Sequence, residues 1–102
     1  MERDEVLRRA ARFEWDEAKR RSNLAKHGLD FRLAEYLFDG RPTVLARSPH
    51  LAEERFLTTG IVDDLYLTVV WTRRGKGVRV ISLRRAGYAE RREHHALHGG
   101  GA

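Results

Sequence analysis

Cysteine is absent from the 102-residue sequence, which excludes disulfide bonds and thiolate zinc sites and argues against a small secreted scaffold. Long apolar runs are absent as well, since none approaches the roughly 18 residues of a membrane-spanning helix. The first five residues, Met-Glu-Arg-Asp-Glu, lack the basic start and apolar centre of a signal peptide. We therefore expect a cytoplasmic protein with no membrane partner.

Acidic residues are fewer than basic ones: 15 Asp and Glu stand against 20 Lys and Arg, which gives a formal net charge of +5. This charge favours an anionic partner such as nucleic acid, although an acidic protein or a membrane surface fits it equally. The length allows one domain with a single core. Met1–Arg12 is mostly charged and is treated as an N-terminal extension, with the domain at residues 13–97 and a flexible tail at residues 98–102.

Two consecutive segments near the N-terminus carry helix signals. Asp16 stands where an N-cap oxygen is needed and Gly28 can adopt a left-handed conformation, so a helix is predicted from about Asp16 to His27. Asp30 can cap a second helix, which Pro42 and the preceding Asp39-Gly40 end. Apolar residues recur in this second segment at helical spacing: Phe31, Ala34, Leu37 and Phe38.

Four short segments rich in β-branched and aromatic residues follow, separated by turn signals. The turns at Asp63-Asp64 and Arg73–Gly77 favour antiparallel hairpins, and Leu65–Trp71, apolar on both faces, is predicted to be a central strand. A charged helix is predicted at Ala86–Leu97. The fold class is therefore α+β, with two N-terminal helices, a four-stranded antiparallel sheet and a C-terminal helix. The four predicted strands are Thr43–Ala46, Arg55–Val62, Leu65–Thr72 and Val78–Arg84.

The last predicted strand carries arginine on both faces. Strict alternation places Ser82 and Arg84 on one face and Arg79 and Arg85 on the other. The planar guanidinium group suits a phosphate held against a rigid surface. Ordinary ion pairs explain these arginines equally well, with Glu53, Glu54 or Glu90 as partners.

Two further groups can carry chemistry. Lys26 and His27 lie at the exit of the first helix, where a fixed backbone can aim both side chains at one point, although the helix macrodipole alone favours cations there. Glu54, beside Arg55, is a carboxylate that can be held ionised, or simply an exposed strand end. His94 and His98 share one helical face, but no metal site is predicted because carboxylate and thiolate ligands at defined spacing are missing.

The order of these segments resembles the BrnT family of bacterial toxins over about Phe13 to His95. Two features depart from the family pattern: Met1–Arg12 is additional, and His94 stands near a position where the family tends to carry tyrosine. The resemblance rests on Phe13-Glu14-Trp15-Asp16, Lys19, Asn23, Lys26-His27-Gly28, Phe31, Ala34 and Phe38, then Glu53-Glu54-Arg55 and Gly60, then Arg79-Val80-Ile81-Ser82, Arg84 and Ala86.

The resemblance implies a RelE-like fold and a ribonuclease that inhibits translation when it is free of its antitoxin. It implies a partner similar to BrnA, a ribbon-helix-helix protein, in a hetero-oligomer that binds operator DNA only through the antitoxin. It also marks seven residues as the RNA-cleaving surface. As candidates for catalysis we take His27, Glu54, Arg79 and Arg84, and for RNA binding Lys26, Arg55 and Ser82.

The mechanism expected for such a surface is metal-independent cleavage of single-stranded RNA by its own 2′-hydroxyl group, without a cofactor. Glu54 or His27 would accept the hydroxyl proton, and Arg79 and Arg84 would stabilise charge on the phosphoryl oxygens. The alternative is a non-catalytic basic module that binds nucleic acid or an acidic partner.

Overall fold

The computed structural model describes residues 12–49 and 53–99, in which helices pack on a five-stranded mixed sheet. Most of the predicted N-terminal extension therefore lies outside the described residues. In chain order the elements are β1 (Phe13–Glu14), α1 (Glu17–His27), a 3₁₀ helix (Phe31–Phe38), β2 (Thr43–Ser48), β3 (Arg55–Val62), β4 (Leu65–Arg74), β5 (Gly77–Arg85), α2 (Tyr88–His94) and a π-helical turn (His95–Gly99).

The α+β class is confirmed, but the prediction of a four-stranded antiparallel sheet is wrong. Strands β2 to β5 pair antiparallel as predicted, whereas β1 pairs parallel with β5 and adds a fifth strand, in the order β1-β5-β4-β3-β2. The backbone N–H of Val78 donates to the Arg12 carbonyl oxygen at 2.8 Å beside this pairing. The sequence of Phe13–Trp15 is compatible with a short strand, but a two-residue strand has no periodicity of its own, so only the tertiary contact decides that it pairs with β5.

The first helix begins and ends where the sequence predicts. The Asp16 side chain accepts a hydrogen bond from the Lys19 N–H at 3.1 Å, and Gly28 ends the helix at φ +70°. A left-handed backbone strains residues with a β-carbon, so glycine suits this position.

The second predicted helix is a 3₁₀ helix. Its buried residues, Phe31, Ala34 and Leu37, recur every three positions, which matches the three residues per turn of this helix. Asp30 caps it by accepting from the Arg32 N–H at 2.9 Å. The spacing had predicted a helical segment correctly without distinguishing its tighter winding.

Helix α1 and the 3₁₀ helix lie over one face of the sheet and form the core with it. Gly60 allows this close approach, because a β-carbon there would lie 2.8 Å from Leu37 Cδ2. The Asn23 amide lies at the β5 edge, where Nδ2 donates to the Leu83 carbonyl at 2.8 Å and Oδ1 accepts from the Leu83 N–H at 3.3 Å. The buried apolar residues are Leu29, Phe31, Ala34, Leu37, Phe56, Val62, Leu67, Val69, Trp71, Val80 and Leu83.

Strand β4 is central, as predicted, and α2 packs against the opposite face of the sheet from α1. The predicted helix Ala86–Leu97 is divided into α2 and a π-helical turn. His98, the first residue of the predicted tail, lies in this turn, and its Nε2 bonds the Thr43 carbonyl oxygen at 2.9 Å; residues 100–102 lie outside the described residues. None of the helices in residues 12–49 and 53–99 has the length and hydropathy of a membrane span.

Candidate functional site

Strand β5 presents three predicted site residues, Arg79, Ser82 and Arg84, on one face of the sheet. Strict alternation predicted Arg79 on the opposite face, and this prediction is wrong. A β-bulge interrupts the register, leaving Ile81 without a register partner on β4. One extra residue reverses the alternation, so residues an odd number apart come to share a face. The three residues stand opposite Thr72, Val70 and Thr68, which are alternate residues of β4.

Burial of the neighbouring residues agrees with this reversal. Val80 and Leu83 are three positions apart and would lie on opposite faces of a regular strand. Both are buried in the core, with exposures of 2% and 0%. The residues that alternate with them on either side of the bulge therefore share the face that points away from the core.

Arg55 belongs to the same face through β3. It precedes Phe56, which is buried in the core, and it pairs in register with Ser48 of β2. We refer to Arg55, Arg79, Ser82 and Arg84 as the arginine face. The strand rise places Arg79 and Arg84 about 13 Å apart along the sheet. Four of the seven predicted site residues thus come together.

Every arginine of this face has a carboxylate partner in the free chain. Arg55 Nε lies 3.1 Å from Glu53 Oε2, and Arg79 Nη1 lies 3.6 Å from Glu14 Oε1. The third pair joins Arg84 to Glu90 at 2.7 Å. The ion-pair interpretation was therefore correct for Arg84, while Arg79 is paired with a carboxylate that the sequence did not suggest.

The Glu90 carboxylate joins α2 to the sheet. It accepts two hydrogen bonds from the Arg84 guanidinium at 2.7 and 2.9 Å, one from Thr68 Oγ1 at 3.0 Å and one from the Gly87 N–H at 2.8 Å. These bonds, led by those from Arg84, lower the pKa of Glu90 to about 2, and the same contact raises the pKa of Arg84. Glu90 is consequently a fixed anion and a poor proton acceptor near neutral pH.

The Thr68 hydroxyl extends this network into the sheet. Its single proton is donated to Glu90, so the Thr59 hydroxyl, 2.7 Å away, is the donor in the Thr59–Thr68 hydrogen bond. Arg84 and Glu90 are thereby positioned from β3, β4 and β5 together.

Glu14 is the acidic residue that sequence reasoning missed. It pairs in register with Arg79, and Oε1 also lies 3.2 Å from Arg74 Nε. The sequence contained a signal for this position, because aromatic residues flank Glu14 on both sides. In the structure these residues, Phe13 and Trp15, pack against aromatic rings of the 3₁₀ helix. Alternation then directs Glu14 away from the core.

Glu54 is not presented to the arginine face. Its carboxylate pairs with Arg47 of the edge strand β2 at 2.8 Å. Its backbone carbonyl accepts from Thr72 Oγ1 at 2.6 Å, which fixes the main chain beside the register partner of Arg79. No contact among the described residues joins the Glu54 carboxylate to Arg79.

Lys26 and His27 occupy the last turn of α1, as predicted, but the structure does not bring them to the arginine face. Both are exposed, and within the described residues neither side chain makes a hydrogen bond or ion pair. The expected convergence with Glu54 and the arginine strand is absent from these described contacts.

His94, near the position where the related family tends to carry tyrosine, is a packing residue here. It is 4% exposed, Nε2 bonds the Pro42 carbonyl oxygen at 3.2 Å, and the ring meets Tyr66 edge-on at 5.5 Å. Because a carbonyl only accepts, Nε2 carries the proton. The His98 ring lies 4.9 Å away, yet residues 12–49 and 53–99 contain no group of three or more side chains that could hold a metal ion.

The fold and this site define a class of small basic α+β protein with an arginine-bearing sheet face. Residues 15–90 match the family model described as the ribonuclease toxin BrnT of type II toxin–antitoxin systems. The chain therefore belongs to the BrnT family of ribonuclease toxins, and membership implies an antitoxin partner. No curated protein matches the sequence at a significant level.

Proposed function

We propose that this toxin is a metal-independent endoribonuclease of RelE-like fold that inhibits translation by cleaving single-stranded RNA in the cytoplasm. The substrate's 2′-oxygen attacks the adjacent phosphorus while the bond from phosphorus to the 5′-oxygen breaks. The 2′-hydroxyl proton passes to a base on the protein, and the leaving 5′-oxygen gains a proton. The products are a 2′,3′-cyclic phosphate and a 5′-hydroxyl end.

The observation that carries this proposal is the bulge in β5, because it directs Arg79 to the same face as Ser82 and Arg84. Arg79 is the arginine best suited to contact the reacting phosphate. Its side chain is 32% exposed, and its ion pair with Glu14 is long, at 3.6 Å. Exposed pairs contribute about 0–1 kcal/mol, so a phosphate that accepts two hydrogen bonds can displace this one.

Arg84 serves a different role in this proposal. Its two hydrogen bonds to Glu90 keep the guanidinium in place. It orients the site and supplies hydrogen-bond donors that Glu90 leaves unused. Arg55 and Ser82 position the RNA backbone. Lys26 and His27, at the end of α1 and away from the arginine face, contact RNA only where the strand of RNA extends past that helix.

For the proton transfer we propose Glu14 as the base in place of Glu54. Both carboxylates pair with an arginine outside the face, Glu14 with Arg74 and Glu54 with Arg47, but of the two only Glu14 also lies beside Arg79. His27 remains a candidate acid from the family pattern alone, and it can act only if the RNA extends from the arginine face to the end of α1, which His27→Ala tests. Glu14→Gln is expected to slow cleavage and Glu54→Gln to leave the rate close to the parent's; the reverse result would restore Glu54 as the base.

The proposed partner is an antitoxin similar to BrnA, with a ribbon-helix-helix domain that provides all contacts to operator DNA. It neutralises the toxin by covering the arginine face in a hetero-oligomer. Half-buried apolar side chains between the arginines, Leu57 and Val70, give such a partner an apolar surface to bury.

The decisive experiment compares Arg79→Ala with Arg32→Ala on a labelled single-stranded RNA in buffer that contains a chelator. Arg32 is exposed and its side chain has no ion pair within the described residues, so this control removes the same charge at a distance from the arginine face. Loss of Arg79 is expected to slow cleavage by about a hundredfold or more. Cleavage by Arg79→Ala at the rate of the control, or no cleavage by the parent in chelator, would contradict the mechanism.

One observation favours a second candidate, a non-catalytic module for nucleic acid or an acidic partner: each arginine of the face is already neutralised by a carboxylate. This candidate predicts salt-sensitive RNA binding without products. Induced expression with and without the antitoxin gene separates the two. Growth arrest that co-expression relieves supports the toxin, and unaffected growth supports the passive module.

A further inference from the structure

A second aromatic and basic cluster lies outside the arginine face, at the start of α2. Tyr88 is 67% exposed although it is a large ring. The guanidinium carbons of Arg91 and Arg92 lie 6.0 and 5.6 Å from its ring centroid. The spacing of three and four residues places both arginines on the same helical face as Tyr88, so the sequence alone contained this signal.

These two arginines differ from those of the arginine face in their electrostatic state. In the part of the chain that the structure describes, neither Arg91 nor Arg92 forms an ion pair with a carboxylate, and both guanidinium groups lie beside the Tyr88 ring. Two uncompensated guanidinium groups beside an exposed ring attract an anion that also offers a flat surface.

A surface cavity of about 400 Å³ lies at this cluster. Its volume falls within the range of small-ligand sites. The cavity lies near the Arg84 end of the arginine face, because the backbone carbonyl of Tyr66, one of its lining residues, accepts the N–H of Ala86, two residues after Arg84, at 2.9 Å. Its lining residues are Tyr66, Tyr88, Arg91, Arg92, His95 and Ala96.

We propose that this cavity, the Tyr88 pocket, binds one nucleotide of single-stranded RNA beyond the Arg84 end of the arginine face, on the same RNA strand that is cleaved at Arg79. The base stacks on Tyr88, and Arg91 and Arg92 bind the flanking phosphates. Single-stranded RNA is the occupant that fits best, since stacking on a ring and contact with phosphates are its two general modes of recognition. This inference rests on the proposed ribonuclease function and adds a subsite to it.

The test measures binding apart from cleavage, using a fluorescent oligoribonucleotide that carries 2′-O-methyl groups. These groups block the proposed attack, so anisotropy reports affinity alone. The variants are Tyr88→Ala and Tyr88→Phe. The matched control is Tyr36→Ala, because Tyr36 is 50% exposed and has Arg41 at 5.4 Å, but Asp39 binds that arginine.

Tyr88→Ala is expected to weaken binding on the order of tenfold, while Tyr88→Phe and Tyr36→Ala bind like the parent. Replacing Arg91 and Arg92 together by alanine should reduce the slope of log affinity against log salt by about 1.4, from two contacts of about 0.7 each. If Tyr88→Ala binds the oligonucleotide as tightly as the parent, or if Tyr88→Ala and Tyr36→Ala lose the same affinity, the proposal that the Tyr88 pocket binds RNA is wrong.

A parallel measurement of antitoxin binding separates RNA from protein as the occupant. If Tyr88→Ala abolishes the antitoxin complex and leaves oligonucleotide affinity intact, the cluster is a protein interface and the proposal fails. Cleavage of unmodified RNA by Arg79→Ala tests the mechanism independently. If Arg79→Ala cleaves RNA as fast as the parent, the proposed mechanism fails, but the subsite proposal still holds provided that Tyr88→Ala weakens binding of the 2′-O-methyl oligonucleotide.

Discussion

Replacing Glu90 by glutamine should destabilise the domain more than any other single isosteric change on α2. The substitution keeps the shape of the side chain, but it removes the negative charge and one of the two oxygens that bind Arg84, Thr68 and the Gly87 N–H. The remaining amide oxygen can satisfy only part of this set. Arg84 then loses a charge-assisted partner while staying packed against the sheet.

The magnitude follows from the pKa of Glu90, which its partners lower from the usual 4.5 to about 2. By linkage this difference corresponds to about 3 kcal/mol of folding free energy. The Glu90 side chain is 26% exposed and that of Arg84 35% exposed, so solvent screening reduces the expected loss to about 2 kcal/mol. A domain of this size then unfolds about 10 °C lower.

The assay is urea unfolding followed by tryptophan fluorescence, which reports on Trp71, buried in the core, and on Trp15, partly buried against it. Glu93→Gln is the matched control, because Glu93 lies on the same helix, is exposed and makes no ion pair within the described residues. Equal unfolding free energies for the two variants would refute the assignment of Glu90 as the anion that attaches α2 to the sheet.

The pH dependence provides a second check with a defined sign. The pKa of Glu90 is lower in the folded state, so its stabilisation is complete above about pH 4.5 and is lost as the pH falls towards about 2. The stability difference between parent and Glu90→Gln should therefore be constant from pH 7 to pH 5 and shrink below that. A difference that persists unchanged at pH 2.5 would show that the carboxylate charge is not its source.

Three further substitutions test the architecture around the site by urea unfolding followed by circular dichroism, because one of them removes Trp71. Asn23→Leu removes both hydrogen bonds to the Leu83 backbone at the buried edge of β5 and should cost about 3 kcal/mol; a loss below 1 kcal/mol would contradict this role. Gly28→Ala places a β-carbon at φ +70° with no atom within 4 Å, so only backbone strain of about 1 kcal/mol is expected, and a larger loss would point to a contact. Trp71→Phe leaves Thr58 Oγ1 without the indole N–H at 2.8 Å and should cost about 1–2 kcal/mol, whereas an unchanged midpoint would indicate that this bond is dispensable.

The arginine face shows why part of the site was accessible from the sequence and part was not. Arg55, Arg79, Ser82 and Arg84 were identified by residue type and family pattern, but their common face depends on the bulge at Ile81. A bulge is a property of two paired strands, since one strand gains a residue that its neighbour does not match. Alternation within β5 alone therefore predicted the wrong face for Arg79.

The pairing of charges was equally inaccessible. Glu14 and Arg79 are far apart in the sequence and meet only because β1 adds to β5 in parallel. The predicted group of Lys26, His27 and Glu54 had suitable chemistry, but α1 and the start of β3 direct these side chains elsewhere. Residue type indicates what a side chain can do, whereas its neighbours depend on long-range packing.

The sequence by itself determined the α+β class, the limits of α1, the central position of β4 and the family, because caps, turn residues and apolar periodicity act over a few residues. Tertiary structure alone decided that β1 pairs parallel with β5, which face of the sheet Arg79 occupies and that Glu14 is its partner. These features depend on contacts between residues distant in the chain. A local pattern cannot encode them, because strand register is fixed only when the sheet assembles on its core.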